Sequence, residues 1–367
     1  MFHFIKIIKS GFYQIYKDIY FSINFVCKMR KYSVIIPAYN RPDEVGELLE
    51  SLKSQPFMDF EIIVVEDGST LPCRDVVIAA GGVDADAVPG TDANIRYYYK
   101  PNSGPGQTRN YGAARSRGEY LLILDSDVIV PKGYFASIER ELSRLRCDAF
   151  GGPDRAADNF TPVQKAISYA MTSFFTTGGI RGGRQRMDRF YPRSFNMGIR
   201  RDVFNNLGGF SKMRFGEDID LSIRIFEAGY SCRLFPDSWV YHKRRTDFRK
   251  FYRQVYNSGI ARINLYRRHP GSLKIVHFLP AAFTVGVILL ILLSPLTLLS
   301  LVPIAVYALM VFADASAKNG SFRIGGLSVC AAFVQLSGYG FGFISAWWRR
   351  CVLGRGEFDA FRNTFYK

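Results

Sequence analysis

Short apolar runs alternate with helical patterns in the amino-terminal part of the chain. Mostly apolar runs at residues 32–37, 60–65, 95–99 and 120–124 predict buried strands, because each is short and bounded by turn residues. Pro42–Lys53 has the apolar spacing of an amphipathic helix, and a further helix is expected after the third run. Repeated β-then-α units predict a mostly parallel sheet flanked by helices.

Acidic residues follow two of these predicted strands. Asp67 comes after the second run, and Asp125 and Asp127 come directly after the fourth. Parallel strands bring their carboxyl ends to one edge of a sheet, where ligands bind. Positions i and i+2 of an extended chain face the same side, so Asp125 and Asp127 form a candidate site for Mg²⁺ or Mn²⁺ that also holds substrate phosphates.

A second group of acids opens a later helix. Apolar residues at i, i+4 and i+7 from Ile219 predict a helix with one buried face, and Glu217, Asp218 and Asp220 lie in its first turn. Acids are favoured at this end of any helix, and Asp220 is spaced to pair with Arg224 four residues later. We interpret Asp220 in that structural sense and keep Asp218 as a candidate for chemistry.

Other common site types are not supported by the sequence. Gly104-x-Gly106 is not a dinucleotide fingerprint, because Arg109 stands where the third glycine would be. The chain has six scattered cysteines without paired metal-ligand spacing, which indicates single thiols in a reducing compartment. Five arginines between Arg181 and Arg193 lie in a Gly-rich stretch. This stretch is either a solvated loop or a segment that binds phosphate through its guanidinium groups.

The carboxyl-terminal part of the chain is strongly apolar. Residues 278–313 contain no charge over 36 positions, and residues 324–348 contain none over 25. A membrane-spanning helix needs about 20 apolar residues, so the first run is too long for one upright span. We expect a break at Ser294-Pro295, transmembrane segments within residues 275–348, and three crossings, with two or four as alternatives.

Positive charge concentrates beside these apolar runs. The chain has a net charge of +16, and between Tyr241 and Lys274 ten residues are Lys or Arg against one acid. This pattern predicts a basic amphipathic helix at a membrane interface over residues 246–274 and places the catalytic part on the cytoplasmic side of the inner membrane. Nucleic acid is not expected as a partner, because no nucleic-acid motif is present.

The two ends of the chain are predicted to be basic appendages. Residues 1–31 form a basic and aromatic extension, with Met29 as an alternative start, and residues 349–367 form a basic tail. The remaining part, residues 32–245, is expected to be a single catalytic domain.

Five segments, in this order, resemble the inverting family 2 glycosyltransferases with a GT-A fold. The matching stretches are residues 34–40, 66–69, 110–112, 118–127 and 216–218. The resemblance implies a Rossmann-like α/β domain that moves one sugar from a nucleotide sugar, with UDP as the expected nucleotide, to a glycan or lipid-linked acceptor. It also implies cell-surface polysaccharide or glycoconjugate synthesis as the setting.

The resemblance implies a role for each matching residue. Nucleotide-sugar binding is implied for Pro37, Ala38, Tyr39, Asn40, Asp67, Arg109, Asp125 and Ser126. The divalent cation, Mg²⁺ or Mn²⁺, would be held by Asp125, Asp127 and His242. Asp218 would be the catalytic base, with Glu217 as the alternative. Asn196 and Met197 would lie on the acceptor side.

One departure from the resemblance bears on the product. Processive cellulose- and hyaluronan-type synthases carry a Gln-x-x-Arg-Trp motif, whereas the Arg-Trp end is missing after Gln254. We therefore expect a non-processive enzyme. A processive polysaccharide synthase and a non-catalytic nucleotide-sugar-binding protein are the alternatives, and the presence of Asp218 argues against the second.

Overall fold

The computed structural model describes residues 30–57, 59–155, 160–177, 190–243 and 246–358. The strands are β1 (Tyr32–Ala38), β2 (Phe60–Asp67), β3 (Val83–Asp84), β4 (Ile95–Lys100), β5 (Tyr120–Leu124), β6 (Val128–Ile129), β7 (Ala149–Gly151), β8 (Asp154–Arg155), β9 (Asn196–Arg200), β10 (Cys232–Leu234) and β11 (Val240–His242). Most of the predicted amino-terminal extension, and Arg181 to Arg189, lie outside the described residues.

Helices pack around these strands and continue beyond them. They are α1 (Pro42–Lys53), α2 (Arg74–Ala79), α3 (Pro105–Ala113), α4 (Tyr134–Arg144), α5 (Pro162–Thr172), α6 (Phe174–Thr177), α7 (Arg201–Asn206), α8 (Glu217–Glu227), α9 (Phe248–Arg268), α10 (Leu279–Leu293), α11 (Val302–Asn319) and α12 (Phe322–Trp347). The predicted first helix is confirmed, and β1 continues one residue past Pro37.

The main sheet of the described residues has the strand order β10-β7-β9-β5-β1-β2-β4-β3. β1 pairs in parallel with β2 and β5, and β2 pairs in parallel with β4. β9 is antiparallel to both β5 and β7. The predicted mostly parallel α/β sheet is therefore confirmed, with one antiparallel strand inserted.

Side chains of the central strands alternate between two apolar cores. Val34 and Leu122 belong to a cluster with residues of α1 and α4. Ile35 and Ile123 belong to a cluster on the other face, with residues of α3, α7 and α8. Because successive strand residues point to opposite faces, these central strands are buried on both sides, and polar side chains gather at their ends.

A small second sheet extends the carboxyl edge of the main one. Its order is β6-β11-β8, and β11 pairs antiparallel to β6 with His242 opposite Val128. Asp127 immediately precedes β6, so this pairing carries His242 to the acids that follow β5. The sequence predicts a strand at residues 232–235 before His242, but not this sheet.

The apolar carboxyl-terminal run breaks as predicted. α10 ends at Leu293, and a single 3₁₀ turn at Leu298–Leu301 leads into α11. Within the described residues, Leu298–Asn319 and Phe322–Val352 are long and apolar enough to cross a membrane, whereas Leu279–Leu293 is shorter. The basic helix predicted over residues 246–274 occupies Phe248–Arg268.

Candidate active site

Two side chains that follow β5 and one from β11 form a carboxylate–imidazole group at the sheet edge. Asp125, Asp127 and His242 each offer one ligand atom, and these atoms all lie within 4.8 Å of one another. His242 Nε2 is 3.2 Å from Asp127 Oδ1, while its buried Nδ1 has no hydrogen-bond partner among the described residues. Two carboxylates and one imidazole suit a divalent cation such as Mn²⁺.

Asp127 is held in its charged form by two neighbours. Burial opposes ionisation, but His242 and Arg41 outweigh it and hold the pKa of Asp127 well below its usual range. The Arg41 guanidinium donates to Asp127 Oδ2 at 2.5 Å. Arg41 was not predicted from the sequence. Its position directly after the predicted nucleotide-binding turn at Asn40 could have indicated a role at this edge of the sheet.

A buried arginine connects the two groups of acids. The Arg109 guanidinium donates to Asp125 Oδ1 at 2.7 Å and to Glu217 Oε1 at 2.8 Å. The Arg109 side chain is only 4% exposed and lies in α3, which packs under the sheet edge. Both of its terminal nitrogens are engaged by protein carboxylates, and its part in nucleotide-sugar binding stays a prediction.

The first turn of α8 presents two adjacent buried acids. Burial raises the pKa of Glu217 to about 7, Arg109 opposes this rise, and the nearby Asp218 charge adds to it. Asp218 Oδ2 forms an ion pair with Arg193 Nε at 2.9 Å, and its Oδ1 accepts the Ile219 N–H. The predicted pairing of Asp220 with Arg224 is confirmed at 2.9 Å.

The predicted nucleotide turn is fixed by hydrogen bonds between two loops. Pro37 and Ala38 are the last residues of β1, and Tyr39 and Asn40 lead toward α1. Asn40 has a left-handed backbone with φ of 52°. Its amide oxygen accepts the Leu71 N–H at 2.9 Å, which ties this turn to the loop after β2.

Asp67 lies where the sequence predicts, at the end of β2, but its carboxylate is already engaged. It accepts hydrogen bonds from the N–H groups of Ser103 and Gly104, both at 2.9 Å, and from Lys100 Nζ. Two of these donors bind Oδ1 and one binds Oδ2, which keeps one acceptor site. Ser126 is also buried, between the two metal-site acids.

Asn196 and Met197 are part of the framework rather than of an open acceptor surface. Asn196 accepts from Tyr134 Oη at 2.7 Å and donates to the Ser238 carbonyl at 2.8 Å, and it is 3% exposed. Met197 lies in the apolar cluster beneath β5. Both side chains are buried, and their role on the acceptor side stays a prediction.

The fold, a mostly parallel α/β sheet with candidate site residues at its carboxyl edge, is of the GT-A type. Residues 33–208 match the family described as Glycosyl transferase family 2.

Curated relatives are similar over parts of the chain. A pre-mycofactocin glycosyltransferase of Mycobacterium tuberculosis is 29% identical over 255 residues, which are 66% of this chain and 48% of the relative. An uncharacterized glycosyltransferase of Rickettsia felis is 38% identical over 146 residues, 40% of this chain and 22% of the relative. The chain thus spans less than half the length of these two relatives.

A solved structure supports the fold over nearly the whole chain. The mannosyltransferase of Pyrobaculum calidifontis, in complex with GDP-Man and Mn²⁺, has a TM-score of 0.58 at 17% identity. The similarity covers 87% of each chain.

Proposed function

We propose that this protein is a membrane-associated inverting glycosyltransferase. It moves one sugar from a nucleotide sugar, with a UDP-sugar as the expected donor, to a glycan or lipid-linked acceptor in cell-surface polysaccharide or glycoconjugate synthesis. Residues 32–245 form its catalytic part, and the helices after residue 245 associate with the cytoplasmic face of the inner membrane.

The Arg109 bridge is the observation that carries the proposal. It connects Asp125, in the group suited to a cation, with Glu217, next to Asp218. Single displacement at an anomeric carbon needs a cation site and a general base at a fixed separation. The acceptor hydroxyl attacks on one face of that carbon while the diphosphate leaves on the other. A buried arginine with two carboxylate partners holds that separation.

Each of the chain's own groups has a defined part in the reaction. Asp218 accepts the proton of the acceptor hydroxyl while its oxygen bonds to the anomeric carbon, and the bond from that carbon to the diphosphate breaks with its electrons. Asp125, Asp127 and His242 would hold the divalent cation, which would neutralise charge on the leaving diphosphate. Arg41 and Arg109 orient the carboxylates at this position.

The test measures donor use by the full chain in lipid nanodiscs. Purified protein is incubated with a panel of UDP- and GDP-sugars, with Mn²⁺, with Mg²⁺ or with chelator, and release of the nucleoside diphosphate is scored. We expect one class of donor to be used, and only with a cation. Asp237→Asn, which removes an exposed carboxylate paired with Arg140, is the matched control and should leave donor use unchanged.

Two outcomes would contradict the proposal. Donor use that is insensitive to chelator would remove the cation from the reaction. Tight binding of a nucleotide sugar with no turnover under any condition, including added membrane lipid extract, would favour the non-catalytic alternative.

A further inference from the structure

We propose that the carboxyl-terminal helices attach this protein to a single leaflet of the bilayer without crossing it. This inference rests on the membrane association proposed above, but not on the reaction. It differs from the three crossings that the sequence predicts.

The first observation is that α12 runs side by side with α9 in the same direction. A Cβ placed on Gly338 would lie 2.5 Å from Val255 Cγ2, and one placed on Gly342 would lie 2.0 Å from the Tyr256 carbonyl. Further along both helices, Arg350 donates to Asn264. Residues farther along α9 therefore contact residues farther along α12, so the two helices are parallel. They approach too closely for any side chain at these glycines.

The second observation is that α9 cannot enter the hydrocarbon. Arg253 and Arg262 lie within the part of α9 that accompanies α12, and neither has an acidic partner among the described residues. The shared run from Phe251 to Asn264 is about 20 Å long at 1.5 Å per residue. An upright α12 would carry both arginines and this length of α9 into the apolar layer, where unpaired guanidinium groups are strongly disfavoured.

The third observation is that α9 is also fixed to the catalytic part. Gly216, which precedes the acids of α8, has a left-handed backbone, and a Cβ there would lie 3.1 Å from Leu265 Cδ1. Phe215 packs in one cluster with Ala281 of α10 and Phe343 of α12. The catalytic part, α9 and α12 are thus one packed unit, so the angle of α12 to the catalytic part is fixed.

The fourth observation concerns α11, which the catalytic part contacts at two levels. Tyr307 Oη donates to the Phe175 carbonyl at 3.2 Å, and Tyr169 Oη donates to Asp314 at 2.6 Å. These two positions of α11 are about 10 Å apart along the helix axis. A helix that left the domain at one end to cross the bilayer would make contacts at only that end.

The apolar surface that remains uncovered identifies lipid as the partner. Only 11% of an 18-residue stretch of Leu298–Asn319 is buried, and leucines such as Leu289, Leu292, Leu296 and Leu309 are more than half exposed. At 15 residues, α10 is about 22 Å long, shorter than the apolar layer of about 30 Å. The α10–α11 hairpin therefore suits insertion into one leaflet.

Charge selects an anionic leaflet rather than a second copy of the chain. Ten basic residues against one acid lie between Tyr241 and Lys274, immediately before the apolar helices. Cations beside an inserted apolar surface are attracted to anionic headgroups. Two copies of the same surface would instead bring these like charges together.

The test uses single added cysteines in the full chain, reconstituted in sealed vesicles and labelled with a membrane-impermeant maleimide. Leu353→Cys reports on the segment after α12, Leu296→Cys reports on the α10–α11 turn, and Lys132→Cys on the exposed surface of the catalytic part is the matched control. Labelling is scored as the increase over the parent chain.

We expect Leu353→Cys to be labelled from the same side as Lys132→Cys, and Leu296→Cys to be labelled from neither side until detergent is added. Labelling of Leu353→Cys or Leu296→Cys only from the opposite side would show a crossing and overturn the proposal. Labelling of Leu296→Cys from the catalytic side would show that the hairpin is not inserted, which would also overturn it.

A second measurement separates lipid from self-association and needs no enzymatic activity. The purified full chain is mixed with vesicles of phosphatidylcholine alone or with about 30% phosphatidylglycerol, and flotation is measured together with oligomeric state. We expect flotation with the anionic vesicles to exceed flotation with the neutral ones at least fivefold. A discrete dimer that floats with neither would assign the apolar surface to a second copy and refute the proposal.

Discussion

Replacing Asp218 with asparagine is expected to slow sugar transfer by roughly 10²–10⁴-fold while donor affinity stays within a few-fold. Each tenfold corresponds to about 1.36 kcal/mol of activation free energy, so the barrier rises by about 2.7–5.5 kcal/mol. Asparagine keeps the size of the side chain and can still accept the Ile219 N–H, but it cannot take a proton from the acceptor hydroxyl.

The fold of this variant should survive the change. The ion pair lost with Asp218 involves Arg193, whose side chain is 38% exposed. Solvent screens such a pair, so its loss is expected to lower the free energy of unfolding by about 1 kcal/mol or less. An unfolding curve of the variant, measured alongside the kinetics, separates this small effect from the chemical one.

Glu217 provides the matched control because it is adjacent, buried and also acidic. Glu217→Gln should mainly raise the donor Kd, since Glu217 shares Arg109 with Asp125. Its raised pKa of about 7 adds a second criterion, because a base with that pKa loses about tenfold in rate for each pH unit below 7. With Asp218 as the base, Glu217→Gln should leave the shape of the pH–rate profile unchanged.

The assay is the initial rate of transfer at saturating donor, from about pH 5.5 to pH 9, for both variants and the parent. Near-normal turnover by Asp218→Asn would refute the assignment. A loss of about 10³-fold in Glu217→Gln, with unchanged donor affinity and loss of an acid limb near pH 7, would move the role of base to Glu217.

Three further changes test other parts of the structure. Asp127→Ala should abolish cation-dependent UDP binding in calorimetry, and binding that persists would remove this carboxylate from the site. Glu61→Gln should lower the free energy of unfolding by about 3 kcal/mol at pH 7, because Glu61 is fully buried beside two arginines. Burial opposes the charge of Glu61, but those partners hold its pKa below the usual value. The difference in stability from the parent should therefore shrink as the pH falls into the acid range. Gly259→Ala should lower the midpoint of thermal unfolding, because its Cβ would lie 2.2 Å from the Tyr339 carbonyl, whereas Gly286→Ala, with open space around it, should not.

The main sheet was predictable because its strands are buried on both faces. Runs such as residues 120–124 are apolar throughout, so the acids that directly follow them are easy to recognise as candidate site residues. The joint position of Asp125 and Asp127 follows from the two-residue period of a strand. The position of His242 beside them agrees with its prediction from the resemblance.

The contacts that hold the site together were not predictable, because they join distant positions. Arg41 pairs with Asp127 across 86 residues, and its partner depends on how β1 and β5 lie in the sheet. The burial of Asn196 was not predictable either, because it follows from the antiparallel insertion of β9 between β5 and β7. The two- and three-residue strands of the second sheet are too short for any periodic signal.

Hydropathy also could not tell a helix that crosses the membrane from one that does not. The apolar run of α12 satisfies the length of a membrane span, and only its packing against α9 distinguishes the two arrangements. That packing depends on Gly259, Gly338 and Gly342, where the two helices approach closely. A hydropathy scale does not report such close approach.

The order of synthesis along the chain gives the α9–α12 pair a particular vulnerability. The residues of α12 that cover Val255 and Tyr256 are made about 80 residues after them, which at about 5–20 residues per second is roughly 4–16 s of translation. During that interval the apolar face of α9 lacks its final partner. A ribosome working at a lipid surface, or a chaperone that binds this face, would protect the nascent chain from aggregation until α12 arrives.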